Sequence, residues 1–123
     1  MSFSRLSDIK RNQKESLIFR VISDLYLQAS LEDKNLIGLI PTRASLSSDK
    51  SKCFIMFYDP DGLEAFKKKL EILKLYKPSI RAALAKKIKS RYVPDLAFKF
   101  DEQFEKEQKI HEILDKVKKE DKF

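Results

Sequence analysis

Glycine and cysteine are nearly absent from this chain of 123 residues. Gly38 and Gly62 are the only glycines, which excludes a glycine-rich phosphate loop of the Walker or dinucleotide kind, since both need backbone to approach phosphate closely. Cys53 is the only cysteine, so no intramolecular disulfide can form. It sits in Cys-Phe-Ile-Met-Phe-Tyr, a run that reads as buried strand, and a buried thiol suits a reduced, cytosolic setting. No apolar run approaches the roughly 20 residues that span a bilayer, and the opening Met-Ser-Phe-Ser-Arg-Leu-Ser-Asp lacks the apolar stretch of a secretion signal. A soluble, cytoplasmic protein is expected, with no membrane attachment. Histidine is reduced to His111, whose helical neighbours Glu107, Glu112 and Asp115 fall short of a metal site, which takes about four ligands or three plus water. No serine, cysteine or acidic pair is spaced as a nucleophile beside its base or as converging carboxylates. The reading is therefore of a non-enzyme with no catalytic residues, no metal, no cofactor and no small-molecule substrate.

What the chain does have is positive charge, and it is concentrated. The formal net charge is +7. Up to Ala65 there are nine basic and nine acidic residues, and from Tyr92 onward seven and nine. Between Phe66 and Arg91 there are ten basic residues against the single acid Glu71. A dispersed surplus would imply little beyond solubility, whereas a concentrated one makes a face able to neutralise phosphates and release counterions.

At this length, with 42% hydrophobic residues, the chain suits one compact domain with one core. The domain is read as residues 1–117, and the charged run 118–123 as a frayed tail. From Ser4 to about Ala29, Leu17, Ile18, Val21, Ile22 and Leu25 form one stripe of a helix. Leu36 to Leu46 reads as a strand whose Pro41 cannot donate to a ladder, placing it at a sheet edge or at a bulge. After the turn Ser47 to Lys50, Ser51 to Tyr58 reads as a central strand buried on both faces, and the two strands form a hairpin. Asp59-Pro-Asp-Gly62 starts a helix whose stripe, up to Tyr76, is read as Leu63, Phe66, Leu70 and Leu73, with Leu75 as a further candidate. Pro78 then breaks that helix, and a second carries Ile80, Ala83, Leu84 and Ile88. Leu96, Phe98 and Phe100 alternate as a third strand with one buried face, and a last helix from about Asp101 carries Ile110, Ile113, Leu114 and Val117. A two-layer α+β sandwich, with helices on one face of a three-stranded sheet, buries these stripes economically.

The element order, α-β-β-α-kink-α-β plus a C-terminal helix, is that of a type II KH domain. The residues narrow it further. The segment Ile80-Arg81-Ala-Ala-Leu84-Ala-Lys-Lys-Ile88-Lys-Ser-Arg91-Tyr-Val-Pro94-Asp-Leu96-Ala-Phe98-Lys-Phe-Asp101 resembles the strongest segment of the ribosome-binding factor A family. There an Ile-Arg dipeptide opens a basic helix, followed by Arg-x-x-Pro-(Glu/Asp)-Leu-x-Phe-x-x-Asp. Arg91, Pro94, Asp95, Leu96, Phe98 and Asp101 meet those positions. Where the family usually has Ala-x-Gly at the helical kink, this chain has Tyr76-Lys77-Pro78, and proline offers no N–H and no close approach to phosphate. The resemblance implies a KH-like fold without a GxxG loop. It also implies a monomeric assembly factor that binds the small (30S) ribosomal subunit and 16S rRNA late in maturation, including processing of the 16S rRNA 5′ end, and supports growth in the cold.

The residues assigned to RNA contact are Lys77, Arg81, Lys86, Lys87, Lys89 and Arg91, which lie opposite or beside the stripe of Ile80, Leu84 and Ile88. Arg11, Lys14, Lys67 and Lys68 are secondary candidates. Lys69 is read as an extension of the same patch. Core packing is favoured for Phe98 and Phe100 over base stacking, and Tyr92 is open to either role. The competing reading is a general basic module that binds nucleic acid or acidic proteins without preference for ribosomes.

Overall fold

The computed structural model describes residues 2–89 and 92–120. Helix α1 (Ser2–Glu32) leads through one 3-10 turn (Lys34–Leu36) into strands β1 (Ile40–Leu46) and β2 (Lys52–Tyr58). Helix α2 (Leu63–Ile88), strand β3 (Asp95–Phe100) and helix α3 (Glu102–Glu120) follow. The sheet order is β1-β2-β3, with β1 antiparallel and β3 parallel to β2. The hairpin and the central place of β2 are as the sequence predicts. Cys53, Ile55 and Phe57 of β2, with Leu96 and Phe98 of β3, face Ile18, Val21, Ile22 and Tyr26 of α1 and Phe66, Leu73, Ile80 and Leu84 of α2 in one core. Phe57 is its centre, with edge-on ring contacts to Tyr26 and Phe98 at 5.5 and 5.8 Å between centroids.

Four elements differ from the sequence reading. Strand β1 begins at Ile40 rather than Leu36. Asp33 accepts from the Asn35 N–H at 3.0 Å and starts the 3-10 turn, and Gly38 (φ 107°) turns the chain before the ladder can begin. The Tyr26 hydroxyl holds this corner from inside, donating to the Leu36 carbonyl and accepting from the Leu39 N–H. Pro41 does lie on an edge strand, and the register slips between Pro41 and Arg43, so the edge and the bulge occur together.

Strand β2 is fully buried on one face only. On the other, Phe54, Met56 and Tyr58 are half-buried, covered in part by Lys99, whose Nζ lies 4.4 Å from the Phe54 ring centroid, and by Phe104 against Tyr58. The two helices expected on either side of Pro78 are one: α2 runs through it. Pro78 and Lys74, whose carbonyl loses an i+4 donor to the missing N–H, are both exposed, so water can take the orphaned acceptor. Helix α3 does not bury its stripe, for Ile110, Ile113, Leu114 and Val117 are 46 to 60% exposed. Its start is nonetheless fixed. Asp101, buried, accepts from the Phe104 N–H at 3.0 Å and from the Thr42 hydroxyl at 2.6 Å, with Arg43 Nε 3.3 Å away.

Candidate nucleic-acid interface

The sheet dictates which part of α2 is available. Phe66, Leu73, Ile80 and Leu84 are spaced by seven and four, so they share one side and bury it. Side chains one-third of a turn away to either side emerge at the flanks. Lys67, Lys74 and Arg81, each seven apart, run down the flank nearer β3. Lys68 and Lys86, eighteen apart, emerge on the other. Glu71, Leu75, Pro78 and Ala82 form the outer crest between them, all exposed.

The six primary candidates separate into three groups. Lys86, Lys87 and Lys89 are exposed and take part in none of the ion pairs among the described residues. Lys89 ends the helix in the left-handed region (φ 49°), and with Lys86 and Lys87 it presents three ammonium groups within four residues. Lys77 and Arg81 are tethered. The Lys77 ammonium lies 3.6 Å from Asp95, and Arg81 Nη2 donates to the Val93 carbonyl at 3.1 Å, so both also tie α2 to the approach of β3. Arg91 lies outside the described residues.

Among the secondary candidates, Lys68 is exposed and in no ion pair with the described residues, whereas Lys67 lies 3.4 Å from Glu64 in an exposed contact that solvent screens. Lys14 is half-buried beside Lys10, and together with Gln13, Leu17 and Ile88 they line a groove of about 320 Å³ between α1 and the end of α2. Lys10 lies seventy-eight residues from Ile88 in the sequence. Only the antiparallel packing of α1 on α2 brings it near the basic end of α2. Arg11 is committed elsewhere: its guanidinium donates to the carbonyls of Leu46, Ser47 and Ser48 at 3.0 to 3.2 Å and clamps the β1–β2 turn. Glu15 completes the clamp by accepting from the Leu46 N–H at 2.7 Å.

Lys69 does not extend the patch. It turns inward and pairs with the buried Asp59 at 2.9 Å, an interaction legible only once its place next to the Phe66–Leu73 stripe is known. Phe98 is buried and Phe100 packs on Phe66 and Tyr58, while Tyr92 is exposed. His111 is exposed on α3, and among the described residues no group of three or more His, Cys, Asp or Glu is placed to hold a metal.

A larger groove, about 630 Å³, lies between α1 and β1. Its charged residues are balanced, Arg20 and Arg43 against Glu15 and Asp24, so it has no net attraction for phosphate. The exposed side of α2 has such an attraction, because Glu71 is its only acid beyond the first turn. On the side of α2 that faces α1, the half-buried Tyr76 donates to Asp33 at 3.2 Å, and its pKa is raised, first by desolvation and then by that carboxylate. It stays a neutral hydroxyl bracing α2 on the end of α1.

Comparison with known proteins fits this geometry. The model of the family described as ribosome-binding factor A matches residues 10–114. Ribosome-binding factor A of Mycoplasmopsis pulmonis is 35% identical over 119 residues, covering 94% of this chain and 99% of that protein. The protein of the same name from Buchnera aphidicola subsp. Acyrthosiphon pisum (strain 5A) is 34% identical over 96 residues, covering 76% and 80%. The crystal structure of ribosome-binding factor A from Thermus thermophilus superposes with a TM-score of 0.61 at 27% identity, covering 72% of this chain and 92% of that one. The fold is thus KH-like, as the element order implies, and no helix among the described residues is long and apolar enough to cross a membrane. With a family match that spans most of the chain and a relative 35% identical over nearly its whole length, this chain belongs to the ribosome-binding factor A family.

Proposed function

We propose that this protein is a non-catalytic ribosome assembly factor that binds the small (30S) ribosomal subunit through 16S rRNA during late maturation. In this role it acts in the cytoplasm as a monomer, assists processing of the 16S rRNA 5′ end and supports growth in the cold. Residues 1–117 act as one ribosome-binding domain and 118–123 as a charged tail. The observation that carries the reading is the charge of α2: Lys68, Lys86, Lys87 and Lys89 are exposed and in no ion pair among the described residues, on a helix whose exposed side is almost free of acids. Cations so placed release counterions from an RNA backbone, and membership of a ribosome-binding family supports rRNA as the source of the phosphates. Lys77, Arg81 and Arg91 are proposed as further contacts, with Lys14 and Lys67 at the margins. Arg11 is dropped from that set, since its donors are spent on the β1–β2 turn.

The test is cosedimentation of the protein with isolated small subunits, large subunits and whole ribosomes at physiological salt. Selective recovery with small subunits is expected, and the triple replacement Lys86→Glu, Lys87→Glu and Lys89→Glu removes it while the circular dichroism spectrum stays unchanged. Equal recovery with every particle means a general basic module without ribosome selectivity.

A further inference from the structure

The outer crest of α2 is the least polar part of its most basic surface. Leu75 is 78% exposed, and Pro78 and Ala82 stand exposed beside it, a turn apart along the helix. An isolated exposed leucine is ordinary. Here, however, three residues without a hydrogen-bonding side chain occupy consecutive turns beyond Glu71, which opens the crest and pairs with Lys74 at 3.5 Å, and cations flank them on both sides. Lys67, Lys74 and Arg81 line one flank over about 21 Å, at 1.5 Å of rise per residue, and Lys68 and Lys86 bracket the other over about 27 Å. The helix presents a smooth ridge with a row of three cations along one side and a single lysine toward each end of the other.

We infer that this ridge seats in the minor groove of an A-form RNA duplex. The inference rests on the reading of α2 as the RNA-binding element and specifies what that element binds. A-form RNA has a wide, shallow minor groove bordered by two phosphate strands and floored by riboses and 2′-hydroxyls, and a major groove too narrow for side chains. A helix about 10–12 Å across can lie on such a surface. Its flanking cations then reach the phosphates on either side, while Leu75, Pro78 and Ala82 rest on the sugars. B-form DNA does not offer the same fit. Its minor groove, about 6 Å wide, excludes a helix, and its major groove is read by donors and acceptors that Leu75, Pro78 and Ala82 lack. Single strands are held by stacking on aromatic rings, and the crest has none. Nothing along the ridge reads base edges, so binding is selective for duplex form rather than for sequence.

Fluorescence anisotropy with a labelled RNA duplex, the DNA duplex of the same sequence and the single RNA strand, all at one salt concentration, tests this directly. The RNA duplex is expected to bind at least about tenfold more tightly than the other two, as recognition by A-form shape requires. Ala82→Trp keeps the charge and raises the crest. It is expected to weaken duplex RNA binding by about tenfold or more and to leave the single strand no weaker. Should Ala82→Trp lose its native circular dichroism, Ala82→Gln poses the same question with a smaller side chain. Equal affinity for RNA and DNA duplexes, or wild-type duplex binding by a folded crest variant, overturns the inference. Cosedimentation separates this from the assembly-factor reading. Small-subunit binding that Ala82→Trp leaves intact removes the ridge and keeps that reading. Duplex selectivity sensitive to Ala82→Trp, in a protein that does not recover small subunits, keeps the ridge and removes the assembly role.

Discussion

Three consecutive lysines, Lys67, Lys68 and Lys69, have three different environments, because successive helical residues point 100° apart. Lys67 shares an exposed contact with Glu64, Lys68 is in no ion pair among the described residues, and Lys69 closes on Asp59, whose side chain is wholly buried. Asp59 also accepts from the Asp61 N–H at 2.9 Å, so the pair fixes the turn that opens α2. Removing only the cation leaves a buried carboxylate without its partner: Lys69→Met is expected to cost about 3–5 kcal/mol in urea unfolding. Adding Asp59→Asn should recover much of that loss, and a loss under about 1 kcal/mol for Lys69→Met would mean the pair is solvated after all. Cys53 is the second residue whose role comes from burial. Desolvation, reinforced by the Glu15 carboxylate, pushes its thiol from 9.0 up to about 11. A folded value above the unfolded one means the native state holds the proton more firmly. The stabilisation is complete below pH 9 and is lost as pH rises toward 11. The urea midpoint of the wild type should therefore fall more steeply above pH 9 than that of Cys53→Ala, and parallel curves would show that the thiol contributes nothing.

At the scale of elements, α3 is a helix whose stripe has no partner within the described chain. Its N-terminus is anchored by the Asp101 cap and by Phe104, 5.0 Å from Tyr58 between ring centroids, while Ile110 to Val117 project into solvent. Truncation after Gln108 keeps the anchor and removes the exposed stripe. It is expected to change stability by no more than about 0.5 kcal/mol, the range typical of surface changes. A loss of several kcal/mol in thermal or urea unfolding would mean that the stripe is covered in solution. The apolar spacing of α3 is as legible as that of α1, yet periodicity reports only that a face is apolar, not what lies against it. β1 shows the same limit. Leu36 and Leu39 look like strand residues and are buried like them, but the Tyr26 hydroxyl, ten and thirteen residues away, bends the chain between them. By contrast the core residues of α2 and β3, Phe66, Leu73, Ile80, Leu84, Leu96 and Phe98, are legible in the sequence, since their stripe and alternation face a single core, although Leu75 falls outside that stripe and β3 starts only at Asp95. Pro78 is the exception, as exposure on both sides of the missing hydrogen bond lets the helix continue.

For the whole molecule, the decisive property is that charge is segregated while the total is modest. The basic stretch is visible in the sequence because ten cations against one acid need no tertiary knowledge to see. That Lys69 and Arg11 are consumed by the fold is not visible there, nor that Lys10 and Lys14 approach the end of α2 from another helix. The consequence is measurable through salt. Each cation withdrawn from a phosphate should reduce the slope of log K against log salt by about 0.7–0.9. Replacing Lys68, Lys86, Lys87 and Lys89 with glutamine therefore predicts a slope shallower by about 3 for RNA binding. Replacing Lys106, Lys109, Lys116 and Lys118 of α3 removes the same formal charge from the molecule but leaves the basic face intact. If affinity followed net charge alone, both variants would flatten the slope equally. If it follows the exposed side of α2, the α3 variant keeps the wild-type slope, and only the α2 variant flattens it.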